Sequence, residues 1–168
     1  MTKTTRPIIL LATGFFCALT ATSAAGANRT LVSALGNDTN PCTITEPCRT
    51  LQAAFNATPP GGEIEVLDPT GYGQLTITHA ISIQGHGWAS LNGSPGGNAI
   101  TINAGPNDKI QLHGLVIEGF GTGQNGILFT TGKSLLVENT TIQNFVDNGI
   151  AFKPTALSAL AVSKTTIA

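Results

Sequence analysis

From Gly61 onward, apolar and polar positions alternate in short runs: Ile64 and Val66, Leu75 and Ile77, Ile81 and Ile83, Ile100 and Ile102, Ile110 and Leu112, Leu115 and Ile117. Thr, Ser, Gln and other mostly polar residues fill the positions between them, and this period of two marks half-buried strands. The runs recur at a fixed distance. Ile110, Leu135 and Leu160 are 25 residues apart, as are Leu112, Val137 and Val162; Leu115, Thr140 and Thr165; and Ile117, Ile142 and Ile167. A second marker, an Asn ahead of a short β-run, recurs as Asn98-Ala99-Ile100, Asn125-Gly126-Ile127 and Asn148-Gly149-Ile150, its spacing of 27 and then 23 absorbed by turns. A period in the twenties made of two or three short strands belongs to a solenoid. Leucine-rich repeats need a Leu framework and usually a helical return, and neither is present. The pattern therefore predicts an all-β fold, a parallel β-helix of about four coils. Alternate residues point into an aliphatic core in which Ile117, Ile142 and Ile167 form one stack. Asn98, Asn125 and Asn148 are expected at turns, bonded along the stack as a ladder and accepting left-handed backbone.

The segment ahead of the repeat reads differently. Residues 49–57 place Leu51, Ala54 and Phe55 on one face of a short helix, ended by Thr58 and Pro59-Pro60-Gly61-Gly62. It is expected to cap the open N-terminal end of the coils, with Arg49 as a capping or loop-bonding residue. Residues 1–27 read as a secretory signal: Lys3 and Arg6 precede an uncharged apolar stretch from Ile8 to Ala21, and Ala25-Gly26-Ala27 fits a cleavage site. That stretch is short for a bilayer span, and no other stretch suits one. The expected layout is a signal peptide over 1–27, an N-terminal cap over 28–62 (edge strand, Cys loop, helix) and coils over 63–168. The expected location is secreted, periplasmic or cell surface. Without Cys17 the mature chain keeps Cys42 and Cys48, which are assigned to a disulfide because two Cys with no nearby His supply only half of a zinc site.

Composition narrows the function. Of 168 residues only 10% are charged, with 8 basic residues against 9 acidic. Removing Lys3 and Arg6 leaves a mature charge of −3, so electrostatic capture of nucleic acid is not expected. The 24 Thr, 12 Asn, 20 Gly and 9 Pro exceed a third of the chain and disfavour helix bundles. The 15 Ile and 41% hydrophobic content disfavour disorder.

The stretch "LVSALGNDTNPCTITEPCRTLQAAFNATPPGGEIEVLDPTGYG", followed by the coils, resembles the opening of secreted right-handed parallel β-helix proteins of the pectate lyase-like superfamily. The resemblance runs from Arg29 to the end. It implies a right-handed solenoid with a short N-terminal capping helix, and it directs attention to chemistry on acidic polysaccharides. Lyases of that kind need clustered carboxylates for calcium and a basic residue as proton acceptor, and hydrolases need paired carboxylates. Glu63 and Glu65 share a face, but the matching position of the next coil is read as Ala99 and Thr101; Asp108 and Asp147 are not a whole number of coils apart. Gly85-His86-Gly87 looks like the glycine-flanked His of polygalacturonases, yet the Asn-Thr-Asp and Asp-Asp elements expected with it are missing. His113 and Glu138, one interval apart, are read as an exposed surface pair.

No catalytic residue, metal site or cofactor is assigned. Trp88, Tyr72 and His86 are the candidate binding residues, with Trp88 the best single contact for a sugar or partner. The expected function is an exported, noncatalytic module that binds polysaccharide or cell-surface glycan or serves structurally. The alternative is a polysaccharide lyase or glycoside hydrolase whose catalytic coils are missing. The chain stops at "SKTTIA" inside a coil, which reads as a truncated, uncapped end prone to self-association.

Overall fold

The computed structural model describes Met1 and residues 28–168. The leader expected over residues 1–27, with its Cys17, otherwise lies outside the described residues. The rest is an all-parallel β-solenoid of about four turns with one short helix.

Three stacks of strands make up the coils. The first contains β1 (Arg29–Val32), β2 (Gly62–Val66), the leading half of β5 (Ile81–Asn92), the leading half of β7 (Lys109–Glu118), β9 (Ser134–Glu138) and β12 (Ala159–Ser163). The second contains β3 (Thr70–Gly71), the trailing halves of β5 and β7, β10 (Thr141–Gln143) and β13 (Thr166–Ile167). The third contains β4 (Leu75–Ile77), β6 (Ile100–Asn103), β8 (Asn125–Thr131) and β11 (Asn148–Phe152).

The 25-residue registers of the sequence are pairing registers of the fold. Ile110 pairs with Leu135 and Leu135 with Leu160; Ile117 pairs with Ile142 and Ile142 with Ile167. Period-two alternation turns one set of side chains inward, so Ile64, Ile83, Leu112 and Val137 form a buried column, as do Ile77, Ile102 and Phe129. Each such side chain contributes roughly 1.5–3 kcal/mol on leaving water. Phe129 stacks on Phe152 with centroids 4.7 Å apart, continuing the column.

The Asn residues run along the edge of the third stack, but not as the turns expected of them: Asn125 and Asn148 open strands β8 and β11, and none of the three has left-handed backbone. Asn125 Nδ2 donates to Asn98 Oδ1 and Asn148 Nδ2 donates to Asn125 Oδ1, both at 2.9 Å.

Helix α1 (Leu51–Ala57) buries Leu51, Ala54 and Phe55, the face read from the sequence, and packs against β1, β2 and β4. Thr50 is its N-cap and accepts from the Ala53 N–H, while Asp38 accepts from the Arg49 and Thr50 N–H groups, both at 2.8 Å. Arg49 donates to the Gly71 carbonyl at 3.0 Å, a loop-bonding contact. Cys42 and Cys48 stand at disulfide distance, Cα atoms 4.6 Å apart, and both are buried.

The coils differ most at the corner between the first and second stacks. In the later coils one residue turns the corner, and each such residue has positive φ: Gly114 at 64°, Asn139 at 51° and Lys164 at 47°. In the earlier coils four residues do so, Gly85 to Trp88 in one case, where the β5–β7 register shifts between Gln84 and Ala89. A side chain on Gly114 would collide with the backbone nitrogens of His86 and Gly87, so glycine is required there by contact as well as by φ.

Candidate functional site

A groove of about 550 Å³ runs along this corner, lined by Gln84, His86, His113, Glu138, Asn139 and Lys164 together with Gly114. Four successive coils build it. Strand pairing places Glu65, Gln84, His113, Glu138 and Ser163 in one outward column. The corner residues form a second column beside it, His86, Gly114, Asn139 and Lys164, all with left-handed backbone. His86 reaches the groove because the corner of β5 is longer and loops outward.

The histidines and carboxylates at this corner are paired. His113 Nδ1 lies 3.4 Å from Glu138 Oε2, and Ser163 Oγ donates to Glu138 Oε1 at 3.2 Å. His86 Nε2 lies 3.5 Å from Glu65 Oε1. Arg29 bridges Glu63 at 2.8 Å and Glu65 at 3.0 Å, so one guanidinium serves two carboxylates; the Glu63 bond first, then the two negative charges, raise the pKa of Arg29.

Trp88 stands at the margin of the groove, 45% exposed, its ring 5.4 Å from that of His86. Two of the three candidate binding residues are therefore together. Tyr72 is the exception and a correction to the sequence reading. It is fully buried and offers no contact surface. Its hydroxyl donates to the Asp68 carboxylate and carbonyl, and the Arg49 guanidinium covers its ring at 5.8 Å. Burial, then the Asp68 contact, drives its pKa far upward. Burial alone would raise Asp68, but hydrogen bonds from Ser33, Tyr72 and the Ala34 N–H outweigh it and hold that carboxyl below its ordinary range.

The neighbours assigned to Glu63 and Glu65 also differ from the sequence reading. Their partners in the next coil are Ser82 and Gln84, because Ala99 and Thr101 belong to the third stack. Gln84, Asn139 and Lys164 were missed as groove residues, although Gly114, Asn139 and Lys164 keep the 25-residue interval.

Among the described residues no three His, Cys, Asp or Glu side chains converge as a metal site. Glu65 and Glu138 are three strand spacings apart, about 14 Å at the usual parallel separation. Carboxylate pairs of glycoside hydrolases stand about 5–9.5 Å apart, so these two do not form one. What the groove offers is hydrogen-bonding groups from several coils beside one exposed indole.

No family model, curated protein or solved structure matches the chain.

Proposed function

We propose that this is an exported β-helix module of the pectate lyase-like kind, with a right-handed solenoid capped by α1, that binds a polysaccharide or cell-surface glycan through the corner groove. The observation that carries this reading is the groove itself, in which Gln84, His86, His113, Glu138 and Asn139 present amide, imidazole and carboxylate groups next to the exposed ring of Trp88. Sugar recognition uses this combination, hydroxyls meeting polar side chains while a ring face packs on an aromatic. The proposed hand follows from the strong preference of parallel crossovers for right-handed connection. The leader-like sequence of residues 1–27 and the Cys42–Cys48 pair support export to an oxidising compartment.

The test is a carbohydrate array probed with the purified protein. Binding to a defined glycan that is lost on Trp88→Ala, with the fold retained by circular dichroism, is the expected result. Failure to bind any glycan overturns the reading.

A further inference from the structure

A second cleft, of about 270 Å³, opens at the other edge of the first stack, where Ser82, Asn107, Lys109 and Gln111 line it together with Gly61 and Ala80. The strands put it in line with the corner groove. Period-two alternation turns Ser82 and Gln84 outward along β5, and Lys109, Gln111 and His113 outward along β7. Ser82 pairs with Gln111 in the second cleft, and the next outward pair, Gln84 with His113, already belongs to the corner groove. Gln84 Nε2 lies 3.5 Å from Ser82 Oγ, so hydrogen-bonding groups continue from one cleft into the other without an apolar gap. The row is confined to these coils. In the two that follow, the partners of Gln111 are Leu136 and then Ala161, which offer no hydrogen-bonding side chain.

The polar row is long. Lys109 and His113 are four residues apart on one strand, about 13 Å at the usual rise, and Trp88 stands beyond them at the margin of the corner groove. From this alignment we infer that the two clefts form one extended site, which takes a polysaccharide segment longer than a disaccharide, laid along β5 and β7 from Gln111 to Trp88. The inference rests on the glycan-binding reading above and adds a length requirement to it. A short saccharide fills one cleft only, whereas a longer chain held in the corner groove meets the second cleft as an intramolecular event, which raises affinity steeply.

The test is calorimetric titration of the intact protein with di- and hexasaccharides of β-1,4-glucan, β-1,3-glucan, β-1,4-mannan and α-1,4-galacturonan. In a series that binds, the hexasaccharide is expected to bind about tenfold or more tightly than the disaccharide. The double variant Lys109→Ala/Gln111→Ala, which alters two exposed side chains and whose fold circular dichroism checks, is expected to lose most of that gain. A hexasaccharide bound no more tightly than its disaccharide, or one whose affinity the double variant leaves unchanged, overturns this inference while leaving the glycan-binding reading intact. Binding of no member of any series overturns both. The comparison of lengths on the unaltered protein does not depend on any variant folding.

Discussion

Asn125 both donates and accepts within its ladder, and it is buried. Replacing it with Ala strands Asn98 Oδ1 and Asn148 Nδ2 together, so Asn125→Ala is expected to cost about 1–3 kcal/mol in urea denaturation. Asn148→Ala, at the exposed end of the ladder, is expected to cost clearly less; equal losses would contradict the ladder's energetic role. The half-buried acid Asp68 sets a pH dependence of known sign. Its folded pKa lies below the ordinary 3.8, so its contribution is complete above that value and is lost as pH falls through the depressed folded one. Asp38 and Glu118 are lowered too, in each case by hydrogen bonds that outweigh burial, and they act in the same direction. Urea midpoints measured from pH 5 down to pH 2.5 are expected to fall, and to fall less steeply in Asp68→Asn. An identical slope in that variant would remove Asp68 from the explanation. None of Asp68's role was legible in the sequence, because a carboxylate that gathers Ser33, Ala34 and Tyr72 from separate segments leaves no periodic trace. Tyr72 was misread for the same reason: the short β3 next to it has no alternation to mark the ring as inward.

At the scale of elements, α1 and the corners carry different information. The helix was readable because Leu51, Ala54 and Phe55 recur at helical spacing before a Pro-Pro-Gly-Gly stop, and those three are the residues it buries. Phe55→Ala is expected to destabilise the protein by about 3–5 kcal/mol, since it empties a packed site against His79, whose ring lies 4.1 Å away. A loss below about 1 kcal/mol would show that α1 does not secure the N-terminal coil. The corners explain why some registers were visible and others were not. Where a single residue turns the corner, the interval is 25 and the stacks Leu112–Val137–Val162 and Ile117–Ile142–Ile167 can be read directly. Where four residues turn it, the register shifts, so the facing of His86 and Glu65, 21 residues apart, had no interval to reveal it. The corners should also respond differently to substitution. Gly114→Ala brings a Cβ against the backbone of the neighbouring coil at a positive φ and is expected to destabilise by more than 1 kcal/mol. Lys164→Gly is expected to stabilise slightly, because it relieves left-handed backbone. Thermal denaturation of the two variants checks both signs.

Across the whole molecule, charge scarcity and coil stacking are connected. Aliphatic columns and Asn, Thr and Gly turns hold the coils with few ion pairs, so the ionisable groups that do face one another are conspicuous. Several collect along a single corner. The central claim is that the corner groove is the binding surface, and amide chemical-shift mapping tests it most directly. The titrant is an oligosaccharide of the glycan bound most tightly on the carbohydrate array. The expected shifts cluster at Gln84, His86, Trp88, His113, Gly114 and Asn139. Shifts concentrated instead on the third stack, around Thr101 and Leu128, or no shifts at saturating oligosaccharide, would contradict it.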